Sequence, residues 1–315
     1  MSTTAEPLPA AARTDGDGGR EAPTVVRRLL RRPSAAASLA VIALLAVLAL
    51  AAPLITHWYG ASPTAFDGKA VDQALGGLPR GTAGGIGGEH WLGVEPVSGR
   101  DVFARIVWGT RVSLLIAVLA TLLSVTLGTF LGLLAGFLGG RTDTVIGRTM
   151  DLLMSFPSLI FMIALMAAAP GADRELLLVV VLGFFGWPYV GRIVRGQTMV
   201  LAHGEFVEAA RALGARRRAL LVREILPNLT GPVLVVATVS IPGCVATEAG
   251  LSFLGVGVRP PTPSWGQMIA SAVPWYAADP AYFLIPGGFL FLTVLAFNVL
   301  GDAVRDELDP GSKQR

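Results

Sequence analysis

Six stretches of this chain run for roughly the thickness of a bilayer without one charged side chain, and few folds survive that constraint. They cover residues 35–55, 112–140, 152–172, 176–191, 225–247 and 280–301. A helix needs about 20 apolar residues to cross the hydrocarbon, so 176–191 is the short member. Hydrocarbon offers no partner for a peptide N–H or C=O, so every crossing must be helical. Composition points the same way: 53% of residues are hydrophobic and 15% charged, against about 25% charged in an average soluble domain. The expected fold is an all-α membrane protein, a six-transmembrane-helix bundle.

Arginine and lysine collect on alternate sides of the spans. One side holds Arg27, Arg28, Arg31 and Arg32, then Arg141 and Arg148, then Arg192, Arg195, Arg211, Arg216, Arg217, Arg218 and Arg223. The other holds Lys69, Arg80, Arg100 and Arg105 over a long loop, then Arg174, then Arg259. Positive charge stays cytoplasmic, which puts both termini in the cytoplasm and keeps 176–191 as a true crossing. The chain then divides into a disordered, basic cytoplasmic N-terminus (1–33), a first transmembrane helix (34–56), an external loop (57–107), a helical core (108–303) with a cytoplasmic loop at 195–227, and a cytoplasmic tail (304–315). The first apolar run exceeds a typical signal-peptide core and ends in Pro53 without a polar flank, so it is expected to stay as a span. The net charge of +3 is spread along loops, without the basic face and base-reading side chains that nucleic acid requires.

The external loop carries a Gly-rich part, 76–88, expected to be flexible. A later external loop, 248–279, holds Pro260, Pro261, Pro263, Trp265 and Trp275, a density that forbids a long helix and suits a lid on the bundle. Gly128, Gly132, Gly136 and Gly140 stand four apart and share a helix face where a second backbone can approach. Asp151, Asp173, Glu175, Glu248 and Asp302 lie near span ends and are expected to reach water, which weakens an ion-driven mechanism built on buried carboxylates. The lone cysteine, Cys244, and the scattered His57, His90 and His203 form no ligand set, so neither metal nor cofactor is expected. Ser155, Ser158 and Ser240 have no histidine on any span to serve as base, which disfavours an intramembrane protease.

Between two spans lies a polar stretch, Glu205 to Pro227. Residues 205–213 are good helix formers, and Gly214 can take the positive φ of a helix C-terminus. A second helix is expected over 216–226, with Leu220, Leu221 and Ile225 packed on the bundle. Glu205, Glu208 and Arg211 would face a partner's charges, and small alanines would let the knuckle enter a groove.

The series Glu208-Ala209-Ala210, then Gly214, then Ile225-Leu226-Pro227 resembles the EAA motif of binding-protein-dependent ABC importer permeases. Other motifs resemble the DppC/OppC-type dipeptide and oligopeptide permeases in the same order: His90-Trp91-Leu92-Gly93, Gly99-Arg100-Asp101-Val102-Phe103, Arg111-Val112-Ser113-Leu114-Leu115, Phe156-Pro157-Ser158, Leu251-Ser252-Phe253-Leu254-Gly255, Pro260-Pro261-Thr262-Pro263-Ser264-Trp265-Gly266 and Leu308-Asp309-Pro310. Val94-Glu95-Pro96-Val97-Ser98 departs from the family by one extra residue. The resemblance implies a type I ABC importer permease fold and a transport subunit that is not an enzyme. It implies that Glu205, Glu208, Ala209, Ala210, Arg211, Leu213, Gly214 and Pro227 couple it to an ATPase. Its implied partners are a second homologous permease subunit, two ATP-binding cassette ATPase subunits, an extracytoplasmic solute-binding protein and the lipid bilayer. The sequence has no Gly-x4-Gly-Lys-Ser/Thr phosphate loop, so ATP would bind on another chain. Dipeptides or oligopeptides are the implied cargo, with nickel, haem or other small solutes, or an ion-gradient transporter, as alternatives.

Overall fold

A computed structural model describes residues 29–308; residues 1–28 of the N-terminus expected to be disordered and the last two residues of the Leu308-Asp309-Pro310 motif lie outside them, whereas Leu29 is buried and Arg32 lies beside Asp306. The first helix, α1 (Pro33–Leu50), opens on a proline, whose missing N–H costs nothing at that position. It breaks at Ala51, and α2 (Ala52–Tyr59) follows, so the expected first span is two helices. A short ribbon pairs β1 (Val71–Asp72) with β2 (Leu78–Pro79). The Gly-rich part beyond it takes a defined path: Gly76, Gly77, Gly81, Gly84 and Gly85 all have positive φ, and Val94 N–H donates to Gly84 O.

Helix α3 (Val102–Leu138) has 37 residues, about 55 Å at 1.5 Å per residue. The Asp101 carboxylate caps it by accepting from Ala104 N–H at 2.7 Å. It starts ten residues before the expected span and carries Arg105 and Arg111 with it. The third span is broken. Helix α4 (Gly140–Ser155) and α5 (Ser158–Ala168) meet at 86°, because Pro157 drives Phe156 out of helical conformation, to φ −91° and ψ 147°. The fourth span is long although its charge-free run is short: α6 (Arg174–Ala202) has 29 residues. It continues past Arg192 and Arg195 because aspartates on α4 receive them. Arg192 Nη2 lies 2.6 Å from Asp151 Oδ1, and Arg195 donates to both Asp143 carboxylate oxygens, from Nη2 at 2.8 Å.

Then come α7 (Glu205–Ala212), α8 (Arg217–Phe253), α9 (Trp265–Ala272) and α10 (Pro280–Leu308). The separate second helix expected at 216–226 is the root of the fifth span instead. A π turn at Leu220–Ile225 precedes Pro227, whose ring would crowd the carbonyl four residues back in a regular helix.

Glycines set the packing of α3 on α6. A Cβ on Gly128 would sit 2.8 Å from Trp187 O, one on Gly132 2.5 Å from Gly191 O, and one on Gly136 2.7 Å from Arg195 O. Gly140 departs from this series; it lies beyond α3, with φ +54° and open space around it. Both sets of numbers rise together, so α3 and α6 run parallel. Two parallel spans need one crossing between them, and the bent α4–α5 pair is that crossing. Ser113 on α3 bonds Glu248 near the end of α8, so α8 is antiparallel to α3. Arg32 lies 2.9 Å from Asp306, so α1 begins where α10 ends. The start of α1, the ends of α3, α6 and α10, and all of α7 therefore share one face of the bundle.

Candidate partner-docking site

Helix α7 lies across that face. Val207 is fully buried, in a cluster with Leu133, Val194, Leu220, Ile225 and Leu229, and Ala210 and Leu221 pack against it. One apolar residue per turn thus pins the helix and leaves its other sides outward. Glu205, Phe206, Glu208, Ala209, Arg211, Leu213 and Gly214 are exposed. Leu213 is 89% exposed. Glu205, Glu208 and Arg211 make no ion pair among the described residues. Pro227, also exposed, stands apart from this group at the root of α8.

The end of α7 is a Schellman motif. Ala215 N–H donates to Ala210 O and Gly214 N–H to Arg211 O, both at 3.0 Å. Gly214 has φ +83° and nothing within 4 Å of a built Cβ. Conformation, not space, demands glycine here.

The opposite face is a polar layer that sequence reasoning missed. Glu95, in the segment with the extra residue, turns inward and is buried. Its Oε1 accepts from Tyr282 Oη at 2.7 Å and lies 2.7 Å from Arg105 Nε, without a hydrogen bond's alignment. Its Oε2 accepts from Arg100 Nε at 2.6 Å and Ser98 Oγ at 2.9 Å. Arg105, fully buried, also donates to Pro63 O, Pro261 O and Gln267 Oε1. One carboxylate and one guanidinium thereby join the first external loop, α3, the proline-rich loop, α9 and α10.

Glu248 corrects a second expectation. It does not reach water; it is fully buried. Ser113 Oγ and Ser252 Oγ donate to it at 3.1 and 2.7 Å. These hydroxyls in turn accept from Trp265 N–H and Val258 N–H. The carboxylate thus ties the proline-rich loop to the bundle, a positional role that needs no ion traffic. Nearby, Tyr59 Oη donates to Asp101 Oδ2 at 2.9 Å. Burial, with the Asp101 charge beside it, pushes the Tyr59 phenol up to about 12, so it stays a donor throughout the physiological range. Asp279 is also pushed up by burial. Among the described residues no group of three His, Cys, Asp or Glu side chains could hold a metal ion.

Five long apolar helices, one broken crossing and a helix pinned across one face define a polytopic membrane protein. Residues 128–314 match the model of the binding-protein-dependent transport system inner membrane component, and residues 24–70 that of the N-terminal TM domain of oligopeptide transport permease C. The chain belongs to the binding-protein-dependent transport system inner membrane component family. It is 39% identical to the oligopeptide transport system permease protein OppC of Escherichia coli (strain K12) over 90% of its length and 89% of that protein's. It is 38% identical to OppC of Bacillus subtilis (strain 168), over 70% and 72%. It is 35% identical to OppC of Mycobacterium tuberculosis (strain ATCC 25618 / H37Rv), over 92% and 94%. The fold resembles a chain of the inward-facing MetNI methionine ABC transporter with TM-score 0.53 and 17% identity, covering 66% of this chain and 97% of that one. The fold is that of the type I ABC importer permeases.

Proposed function

We propose that this chain is the permease subunit of an ATP-driven importer that moves dipeptides or oligopeptides delivered by an extracytoplasmic solute-binding protein. The outward side of α7 carries this reading: a helix pinned by Val207 that offers Glu205, Glu208, Ala209, Arg211 and Leu213 to a partner. The oligopeptide systems of the OppC relatives support the cargo. The side that holds α7, the start of α1 and the end of α10 is the cytoplasmic one, in keeping with its arginines. Two ATP-binding cassette subunits act there, and a second homologous permease completes the pore. ATP is hydrolysed on those subunits. Their closure moves α7, and Val207 passes the movement to the end of α6 and the π turn of α8, biasing the bundle between two states.

Gly214→Trp tests this. In vesicles holding the assembled complex, uptake is expected to fall at least about tenfold while ATP hydrolysis and membrane insertion persist. Glu208→Arg is expected to act in the same direction. Unimpaired ATP-driven uptake by Gly214→Trp would remove α7 from the coupling path.

A further inference from the structure

Arg174, the first residue of α6, carries a buried charge with no counter-ion. It is 9% exposed. Its Nη1 donates to Met166 O at 2.6 Å, in the last turn of α5, where a cation suits the helix dipole. Its Nε and Nη2 are buried and have no hydrogen-bond partner. Neither neighbour in sequence supplies one. Asp173 is exposed and caps α6 by accepting from Leu176 N–H, and Glu175 forms no ion pair among the described residues. Among those residues the charge that acts on Arg174 is a second cation, Arg259, from the proline-rich loop. Arg259 is exposed, and its Nη1 lies 3.5 Å from Pro170 O. Val258, just before it, shares a cluster with Met166 and Leu178, so the end of α5, the start of α6 and the proline-rich loop meet here.

Bonding the end of α5 accounts for one donor of Arg174 and no more. A buried charge without a counter-ion is costly, and a second cation beside it raises that cost. Elsewhere the fold answers the same need with a carboxylate: Glu95 at Arg105, Asp151 at Arg192 and Asp143 at Arg195. We infer that Arg174 and Arg259 form a carboxylate-binding site for the free C-terminus of the peptide cargo. The inference rests on the importer reading above and names the group such an importer would grip. Two guanidiniums can share one carboxylate, each donating from a fork of N–H groups. The site lies on the face opposite α7, where cargo arrives in that reading. Peptides differ in their side chains but share the terminal carboxylate, so a pair of cations admits many sequences. Arg259, being exposed, meets the carboxylate first. A shift of the turn at 169–173, which both arginines touch at its edges, uncovers Nε and Nη2 of Arg174.

The test uses the full chain assembled with its partner subunits in nanodiscs, with labelled trialanine and its C-terminal amide as probes. Without the binding protein, trialanine is expected to bind about tenfold more tightly than the amide. Arg259→Gln should abolish that preference and leave binding of the amide unchanged. Arg259→Lys, which keeps the charge but not the fork, should retain part of it. Arg80→Gln, which removes an exposed arginine from the same side, should retain all of it. Arg174→Gln is expected to match Arg259→Gln; if it fails to fold, the exposed Arg259 still decides. No preference for the free acid, no detectable binding of either probe, or equal loss in Arg80→Gln overturns the inference. Weaker docking of the binding protein to Arg259→Gln, with the preference for the free acid intact, would assign the arginines to a partner's carboxylate and overturn it equally. If the complete importer takes up no trialanine with ATP and binding protein present, the importer reading fails and the site with it. Uptake without any preference for the free acid in the binding assay sinks the site alone.

Discussion

Glu95→Ala is expected to destabilise the protein by about 3–5 kcal/mol, seen as a fall on the order of 10 °C in the unfolding midpoint in detergent. Arg105 is fully buried, and among the described residues its carboxylate neighbour is Glu95. Removing that carboxylate leaves the guanidinium with Pro63 O, Pro261 O and Gln267 Oε1, which satisfy donors but not charge. Tyr282 Oη and Arg100 Nε lose their acceptor at the same time. Glu95→Gln keeps an acceptor and should cost less. Adding Arg105→Met to Glu95→Ala should recover part of the loss, because burying neither charge is cheaper than burying one. A Glu95→Ala protein that melts with the parent would show that the external layer does not rely on this pair.

Gly132→Ala is the second large effect. Alanine is the better helix former by about 1 kcal/mol, so propensity alone predicts a gain. The contact predicts a loss. The new methyl would lie 2.5 Å from Gly191 O and 3.1 Å from Arg195 N, both backbone atoms that no rotamer change can move. Spans α3 and α6 must separate, at about 1–3 kcal/mol or more, and Gly132→Val should be worse. Gly231→Ala, with nothing within 4 Å of its Cβ, is the control. Protease resistance of membrane-inserted protein reads the difference. Equal resistance of the Gly132 and Gly231 variants would mean that the two helices do not meet through this stripe.

These two regions are unequally legible in the sequence. The glycine stripe repeats every four residues, so its face can be read directly, apart from Gly140, which falls after the helix has ended. Span limits are readable only where charge is a true terminator. Arg105, Arg192 and Arg195 look like ends, yet each helix runs through them, because Glu95, Asp151 and Asp143 arrive from other elements. Such pairings are non-local and leave no periodic signal. Glu248 escapes a sequence reading for the same reason: its partner Ser113 lies 135 positions away in the chain. The break at Phe156–Pro157 is different. Its cause is local, and the dipeptide itself carries the signal. Within 205–227, local rules foresee the short helix and the left-handed glycine after it. They do not foresee that 216–226 merges into α8, because a π turn is set by how the whole helix must pass Pro227.

The 86° elbow between α4 and α5 dictates what must surround it. A bend that sharp strands the last carbonyls of one helix and the first N–H groups of the next outside any helical ladder. Acyl chains cannot solvate such groups. Residues 155–161 are nonetheless exposed in the isolated chain. The elbow side of the bundle therefore cannot border on lipid tails: it is the flank that a neighbouring subunit must blanket or that a watery conduit must wet.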